Sequence, residues 1–130
     1  MIAPQRLRQG WWAVGWLGVG AVIYLSLMHN PPTLAVDDGD KLQHVAAYGV
    51  LMLWFAQLTV LRRRRQGLAV ALVALGVALE YAQLAIGYRD FSWADMVADA
   101  VGVAVGWVLA PPRLPNLLTL GTQAIARNPG

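Results

Sequence analysis

Residues 75–95, LGVALEYAQLAIGYRDFSWAD, hold the pattern that decides how this chain folds. An apolar run that suits a membrane helix carries a glutamate at position 80 and a glutamine at position 83, and charged residues follow directly after it. A lone charged side chain in hydrocarbon costs at least about 2.5–3.5 kcal/mol. If this segment crosses a membrane, Glu80 therefore needs partners inside a helix bundle.

The composition of the whole chain favours a membrane environment. Hydrophobic residues make up 58% of the 130 residues and charged residues only 13%, whereas about a quarter of the residues in soluble domains are charged. A chain of this length cannot bury so much apolar surface in its own core, so we expect lipid to cover the rest. The absence of cysteine excludes disulfide and thiolate chemistry.

Four apolar runs, each close to the roughly 20 residues that a helix needs to cross a bilayer, predict an all-α polytopic membrane bundle. The predicted transmembrane helices are residues 11–28, 42–61, 68–86 and 94–110, within a domain of residues 1–110. Turn-rich segments connect them, and the second connection is expected at residues 62–67. For the tail, residues 111–130, a brief amphipathic helix on the inner surface and disorder are both open.

The distribution of basic residues orients the bundle. Eight of the ten lysine and arginine residues lie in the N-terminal segment, the second connection and the tail, which four crossing helices place on one side. The positive-inside rule puts that side, with both termini, in the cytoplasm. The run of four arginines at residues 62–65 therefore indicates topology, and we expect no nucleic-acid partner.

Polar residues converge on the opposite, non-cytoplasmic layer of the bundle. They are Asp40, Lys41 and His44 at the start of the second span, Glu80 and Gln83 late in the third, Arg89 in the connection, and Asp95 and Asp99 in the fourth. Charges in a bundle interior seek opposite charges. We expect the three acids within the predicted spans, Glu80, Asp95 and Asp99, to pair with Lys41, Arg89 or protonated His44.

Ordinary structural roles account for some of these residues. Asp40, followed by Gln43, suits an N-cap, and Ser92 with Asp95 has the spacing of a capping box. Capping cannot explain a carboxylate as far along a helix as Glu80. No metal-binding or serine-nucleophile motif is present, so the sequence predicts neither a metal nor a cofactor.

A strip of small residues in the fourth span predicts close helix packing. Gly102 and Gly106 form a GxxxG step, which lets two helix backbones approach in lipid. Packing within the chain is the main expectation, and a homo-oligomer through Gly102 and Gly106 is the alternative.

The motifs resemble the VanZ-like family of small bacterial membrane proteins, which is named for a protein associated with teicoplanin resistance. The matching segments are DKLQH (residues 40–44), EYAQ (residues 80–83), Arg89 and DMVADAVG (residues 95–102). Asp99 stands where the family usually has asparagine. The resemblance, over about residues 40–106, implies a multi-pass protein of the bacterial cytoplasmic membrane and cell envelope. It indicates where the protein and its site lie, but it says little about which reaction the site performs.

The sequence supports two hypotheses about function, one a binding or catalytic pocket and the other a structural role. The first is a pocket at the outer leaflet that binds or modifies a lipid headgroup, a cell-wall precursor or a teicoplanin-type glycopeptide antibiotic. Glu80, His44 and Asp99 are the candidate catalytic residues, and Asp40, Lys41, Gln83, Arg89 and Asp95 are the candidate binding residues. The second is a non-enzymatic scaffold or partner subunit whose charges form a structural ionic clasp. Proton-coupled transport ranks last, because the inner halves of the spans hold no ionisable residue.

Overall fold

The computed structural model describes residues 2–87 and 89–128, and every regular element in this part of the chain is a helix. The five helices are α1 (Ile2–Leu27), α2 (Gly39–Ala56), α3 (Arg62–Ile86), α4 (Trp93–Leu109) and α5 (Leu117–Arg127). The all-α prediction is therefore confirmed.

Contacts between helix ends show that α1 to α4 run alternately up and down. Near the end of α3, Gln83 Nε2 donates a hydrogen bond of 2.7 Å to Ser26 O near the end of α1. Near the start of α2, His44 contacts Asp99 in the first half of α4. We call this end of the bundle, where α1 and α3 finish and α2 and α4 begin, the charged end.

The opposite end of the bundle holds buried or half-buried arginine contacts. Arg8 Nη2, near the start of α1, donates to Leu58 O just after α2 at 3.2 Å. Arg65 Nη1, in the first turn of α3, donates to Pro111 O just after α4 at 2.5 Å. We call this the arginine end.

The closest helix packing is between α2 and α4, and small residues make it possible. Gly49 of α2 faces Gly102 of α4, where a Cβ added to Gly49 would lie 3.2 Å from Gly102 O. A Cβ on Gly102 or Gly106 would overlap the carbonyls of Val45 and Gly49. The GxxxG strip is therefore used within the chain, with both of its glycines buried against α2.

Apolar side chains cover the outside of the bundle, and polar side chains lie inside it. Leu17 in α1 and Val70 in α3 are 73% and 70% exposed, whereas Glu80, Gln83 and Asp99 are each 2% exposed. Water-soluble folds rarely bury carboxylates. The distribution is the one that a lipid solvent favours.

Within the described residues, two helical segments are long and apolar enough to span a membrane, Pro4–Leu27 and Arg62–Ile86. Only 6% of the apolar window in the first and 28% in the second is buried inside the protein. Most of their apolar surface is thus left for something other than this chain to cover. The helices α2 and α4 are shorter, with 18 and 17 residues.

The second connection lies earlier than the sequence predicted. Residues 62–67, expected as a turn, form the start of α3, and α2 ends at Ala56 instead of continuing to residue 61. Arginine and glutamine are good helix formers, so the basic run extends α3. The true turn is fixed by Arg65, whose Nε donates to Thr59 O at 2.9 Å.

The tail takes the helical alternative. In α5, Asn116 Oδ1 accepts a capping hydrogen bond of 2.9 Å from Thr119 N, and Leu118 is buried. A Cβ added to Gly121 would lie 3.0 Å from Leu7 in α1. The short helix therefore packs against α1 at the arginine end.

Candidate functional site

The centre of the charged end is a contact between His44 of α2 and Asp99 of α4. His44 Nδ1 lies 2.7 Å from Asp99 Oδ1, so the imidazole N–H donates to the carboxylate. A carboxylate on Nδ1 fixes the orientation of the ring. The second ring nitrogen, Nε2, lies 3.6 Å from Asp95 Oδ2.

Space for the Asp99 carboxylate depends on Gly76 of α3. A Cβ added to Gly76 would lie 2.5 Å from Asp99 Oδ2, closer than such contacts allow. Gly76 was not among the residues predicted from the sequence. The only feature of the sequence that points to it is its place in the interior of an alanine-rich helix, where a glycine is unfavourable unless close packing requires it.

One helical turn further out, Lys41 of α2 pairs with Asp95 of α4. Lys41 Nζ lies 2.6 Å from Asp95 Oδ1 and also contacts Asp40. Both residues lie in the first turns of their helices, so the lysine joins the starts of α2 and α4 as His44 does deeper in the bundle. Two of the three predicted acids therefore have the predicted cations as partners.

Asp40 and Lys41 lie before the predicted span of residues 42–61, at the border of the charged end. The hydrogen bond from Lys41 lowers the pKa of Asp40. In turn, Asp40 first and Asp95 second raise the pKa of Lys41. Both groups therefore carry their charge at neutral pH.

The prediction that Asp40 caps α2 is wrong. The N-cap is Asp38, in a left-handed conformation with φ of 53°, and Asp40 is inside the first turn. Gln43, expected to complete the cap, reaches the preceding connection, where its Nε2 donates to Pro32 O at 3.1 Å. The connection folds back over the start of α2, and this contact cannot be predicted from local spacing.

Glu80 is buried in α3, but its partner differs from the expected ones. Its Oε2 accepts a hydrogen bond of 2.8 Å from the backbone N–H of Ser92, at the start of α4. Ser92 Oγ in turn accepts from Asp95 N at 3.2 Å. Glu80 thus supplies the half of the capping box that Asp95, engaged by Lys41, does not. The expected ion pair of Glu80 with Lys41, His44 or Arg89 is not present among the described residues.

Gln83 and Arg89 bind the end of α1. Gln83 Nε2 donates to Ser26 O at 2.7 Å, and Arg89 Nη1 donates to Met28 O at 3.1 Å. Carbonyls in the last turn of a helix have no partner within the helix, so both side chains fill that need. Arg89 therefore bonds a backbone carbonyl where the sequence analysis expected a carboxylate.

A cavity of about 130 Å³ lies beside these contacts, between the end of α1, the start of α2 and the end of α3. Its polar lining includes Asp40, His44, Gln83 and Arg89. Lys41 and Asp99 are not among its lining residues, because they are engaged in the α2–α4 contact. The eight predicted site residues therefore form two groups. Lys41, His44, Asp95 and Asp99 make the clasp between α2 and α4, with Asp40 in contact with Lys41, and Asp40, His44, Gln83 and Arg89 line the cavity. Glu80 lines neither, because it bonds the backbone of Ser92.

The arrangement is suited to binding a polar group and to moving a proton. His44 is oriented by Asp99 and lines the cavity, so a bound group could exchange a proton with it. No cluster of three or more metal-ligating side chains occurs in residues 2–87 and 89–128. Comparison with known proteins adds no analogue: no protein-family model, curated protein or solved structure matches the chain.

Proposed function

We propose that this chain is a bacterial cytoplasmic membrane protein that binds the phosphate-bearing headgroup of an amphiphile at the outer leaflet. Its cavity at the charged end, lined by His44, Gln83 and Arg89, is the observation that carries this proposal. The ligand classes are a lipid headgroup, a lipid-linked cell-wall precursor and a teicoplanin-type glycolipopeptide. The resemblance to the VanZ-like family supports a protein of the cell envelope.

The proposed topology has four crossings, with both termini cytoplasmic. In addition to the two long apolar helices, α2 with 18 and α4 with 17 residues reach about 27 and 26 Å at 1.5 Å per residue, with Asp40 and Lys41 at the outer boundary of the hydrocarbon. That length approaches the hydrocarbon thickness of about 27–30 Å. The basic residues at the arginine end then lie on the cytoplasmic side, and the cavity opens to the other side.

Arg89 is the residue that we expect to bind the phosphate. One of its nitrogens donates to Met28 O, and a guanidinium has five N–H donors. The remaining donors are available to an anionic oxygen, for which arginine is the preferred partner. Lys41, the other predicted anion-binding residue, is already paired with Asp40 and Asp95.

The test is the retention of a defined phospholipid by the purified full chain in detergent, measured by native mass spectrometry. Diacylglycerol with the same acyl chains serves as the ligand without phosphate. We expect wild type to prefer the phospholipid by about tenfold or more and Arg89→Gln to lose the preference. Arg113→Gln, an exposed arginine at the other end, is the matched control and should keep it. If Arg89→Gln and Arg113→Gln show the same preference for the phospholipid over diacylglycerol, the proposal is overturned.

A structural clasp is the second candidate function, and a specific observation favours it. Lys41–Asp95 and His44–Asp99 join α2 to α4 at 2.6 and 2.7 Å. Such a pair of contacts can fix helix register in a scaffold or partner subunit. Under this alternative, the cavity residues tolerate substitution, while the residues of the two pairs do not.

A further inference from the structure

One buried polar atom at the cavity has no hydrogen-bond partner among the described residues, Gln83 Oε1. The side chain is 2% exposed and lines the cavity. Its amide cannot be reversed, because Nε2 donates to Ser26 O at 2.7 Å and reversal would place two acceptor oxygens together. The unpaired acceptor therefore belongs to a residue that lines the cavity.

Buried acceptors are paired in the great majority of native structures, so this atom calls for a donor. The cavity of about 130 Å³ is far larger than the roughly 10–15 Å³ that one water needs. A ligand group that carries N–H or O–H therefore has room in the cavity that Gln83 lines. An anion alone does not satisfy this oxygen, because both would be acceptors.

The charges that line the cavity narrow the choice of donor. Arg89 supplies a cation and Asp40 a carboxylate, so the lining has one charge of each sign besides His44. A zwitterion with a phosphate and an ammonium group matches both charges. An ammonium also supplies N–H donors, for which the neutral Gln83 carbonyl is an acceptor. The Asp40 oxygen that does not pair with Lys41 is a second acceptor.

We propose that the cavity selects a phosphodiester headgroup with a primary ammonium group, of the ethanolamine type. The ammonium N–H donates to Gln83 Oε1, and the phosphate lies on Arg89. This inference rests on the proposed function and adds the ligand class to it.

The test is a competition between two lipids that differ only in whether the headgroup nitrogen carries three hydrogens or three methyl groups. Purified full chain in detergent receives equimolar dioleoyl phosphatidylethanolamine and dioleoyl phosphatidylcholine, and native mass spectrometry measures the ratio of bound species. We expect about tenfold more ethanolamine lipid bound to wild type, since an unpaired buried acceptor is unfavourable by that order. Soluble glycerophosphoethanolamine, added as competitor, should displace the lipid only if the headgroup alone is the ligand.

Gln83→Met should bring the ratio close to one, because it keeps the side-chain length and removes the acceptor, together with the Nε2 donor to Ser26 O. Gln57→Met is the matched control, since Gln57 is also a buried glutamine, at the arginine end, and its Oε1 accepts from Leu117 N at 2.8 Å. This control should keep the wild-type ratio. A ratio that falls equally in both variants would overturn the role of Gln83.

The outcomes separate this inference from the proposed function. Equal binding of the two lipids by wild type, with both lost in Arg89→Gln, would overturn the ammonium selection and leave the phosphate site standing. No binding of either lipid would overturn both. If Gln83→Met does not fold, mono- and dimethylated ethanolamine lipids on wild type still decide, since affinity should fall as donors are removed.

Discussion

The two ends of the bundle both bury charge, but they satisfy it in different ways. At the arginine end, Arg65 is 8% exposed, and its guanidinium donates to the carbonyls of Thr59, Pro111 and Ala56 at 2.9, 2.5 and 3.1 Å. These carbonyls lie where α2 and α4 finish, and helix C-termini leave carbonyls unpaired and attract cations. The network is complete without a ligand.

At the charged end, side chains pair with side chains from other helices, and Gln83 Oε1 is left without a partner among the described residues. By volume alone, the arginine end would be the candidate binding site, because it has a groove of about 570 Å³. The polar groups that line that groove, such as Arg8 and Gln57, already bond to neighbouring backbone. The observation that indicates the charged end as the binding site is therefore the unpaired oxygen of Gln83, not the volume of its cavity.

The largest expected effect is the loss of the arginine network. Arg65→Met leaves three carbonyls without their donor and should lower the free energy of unfolding by about 3 kcal/mol. Arg64→Met, the exposed neighbour, should change it by no more than about 0.5 kcal/mol. Thermal unfolding in detergent measures both. Similar melting temperatures for the two variants would mean that the network does not carry the arginine end.

The next effect concerns the space behind Asp99. Gly76→Ala places a methyl group against the carboxylate and should destabilise the fold by about 1–3 kcal/mol. Gly67→Ala is the control in the same helix, since nothing lies within 4 Å of its Cβ. That substitution should stabilise by up to about 1 kcal/mol through helix propensity. If Gly76→Ala also stabilises, Asp99 is not held where the structure has it.

A charge swap sharpens the distinction between clasp and binding site. Lys41→Asp or Asp95→Lys alone should cost about 1–2 kcal/mol, because the first places three carboxylates together and the second two ammonium groups at a half-buried position. The double variant should recover part of the stability and, if the cavity binds the ligand, the lipid preference as well. Recovery of stability without any recovery of lipid binding would mean that Lys41 itself contacts the ligand.

The smallest effect is at Asp40, which is largely exposed. Asp40→Asn should change stability by less than about 0.5 kcal/mol, because solvent screens exposed pairs. Lys41 lowers the pKa of Asp40, so the contribution is present at neutral pH and is lost as the pH falls through that pKa. Melting curves of wild type and variant should converge in acid. A difference that grows in acid would contradict the pairing.

The helical class and the gathering of the polar residues at one end of the bundle could be predicted from sequence, because apolar run length and charge placement are local signals. The EYAQ segment carries Glu80 and Gln83 on one face of α3, and both are buried as expected. The partners could not be predicted. Glu80 bonds a backbone N–H of Ser92, and Gln83 bonds the Ser26 carbonyl; neither backbone group has a sequence signature.

The basic run misled the boundary prediction for a physical reason. A block of four arginines indicates the cytoplasmic side of a membrane, but it does not say whether the backbone there is helical. Arg62 begins α3, and only Arg65 of the four is buried. Which arginine faces the carbonyls depends on the turn at Thr59, which is set by tertiary packing.

Single cysteines show whether the charged end with its cavity faces away from the cytoplasm. The chain has no cysteine of its own, so a membrane-impermeant maleimide reports without background. Thr33→Cys lies at the cavity and Arg64→Cys at the arginine end, and both positions are exposed. In intact spheroplasts, the account predicts labelling of Thr33→Cys alone, with Arg64→Cys labelled only after permeabilisation. Labelling of Arg64→Cys in intact spheroplasts, with or without Thr33→Cys, would contradict it.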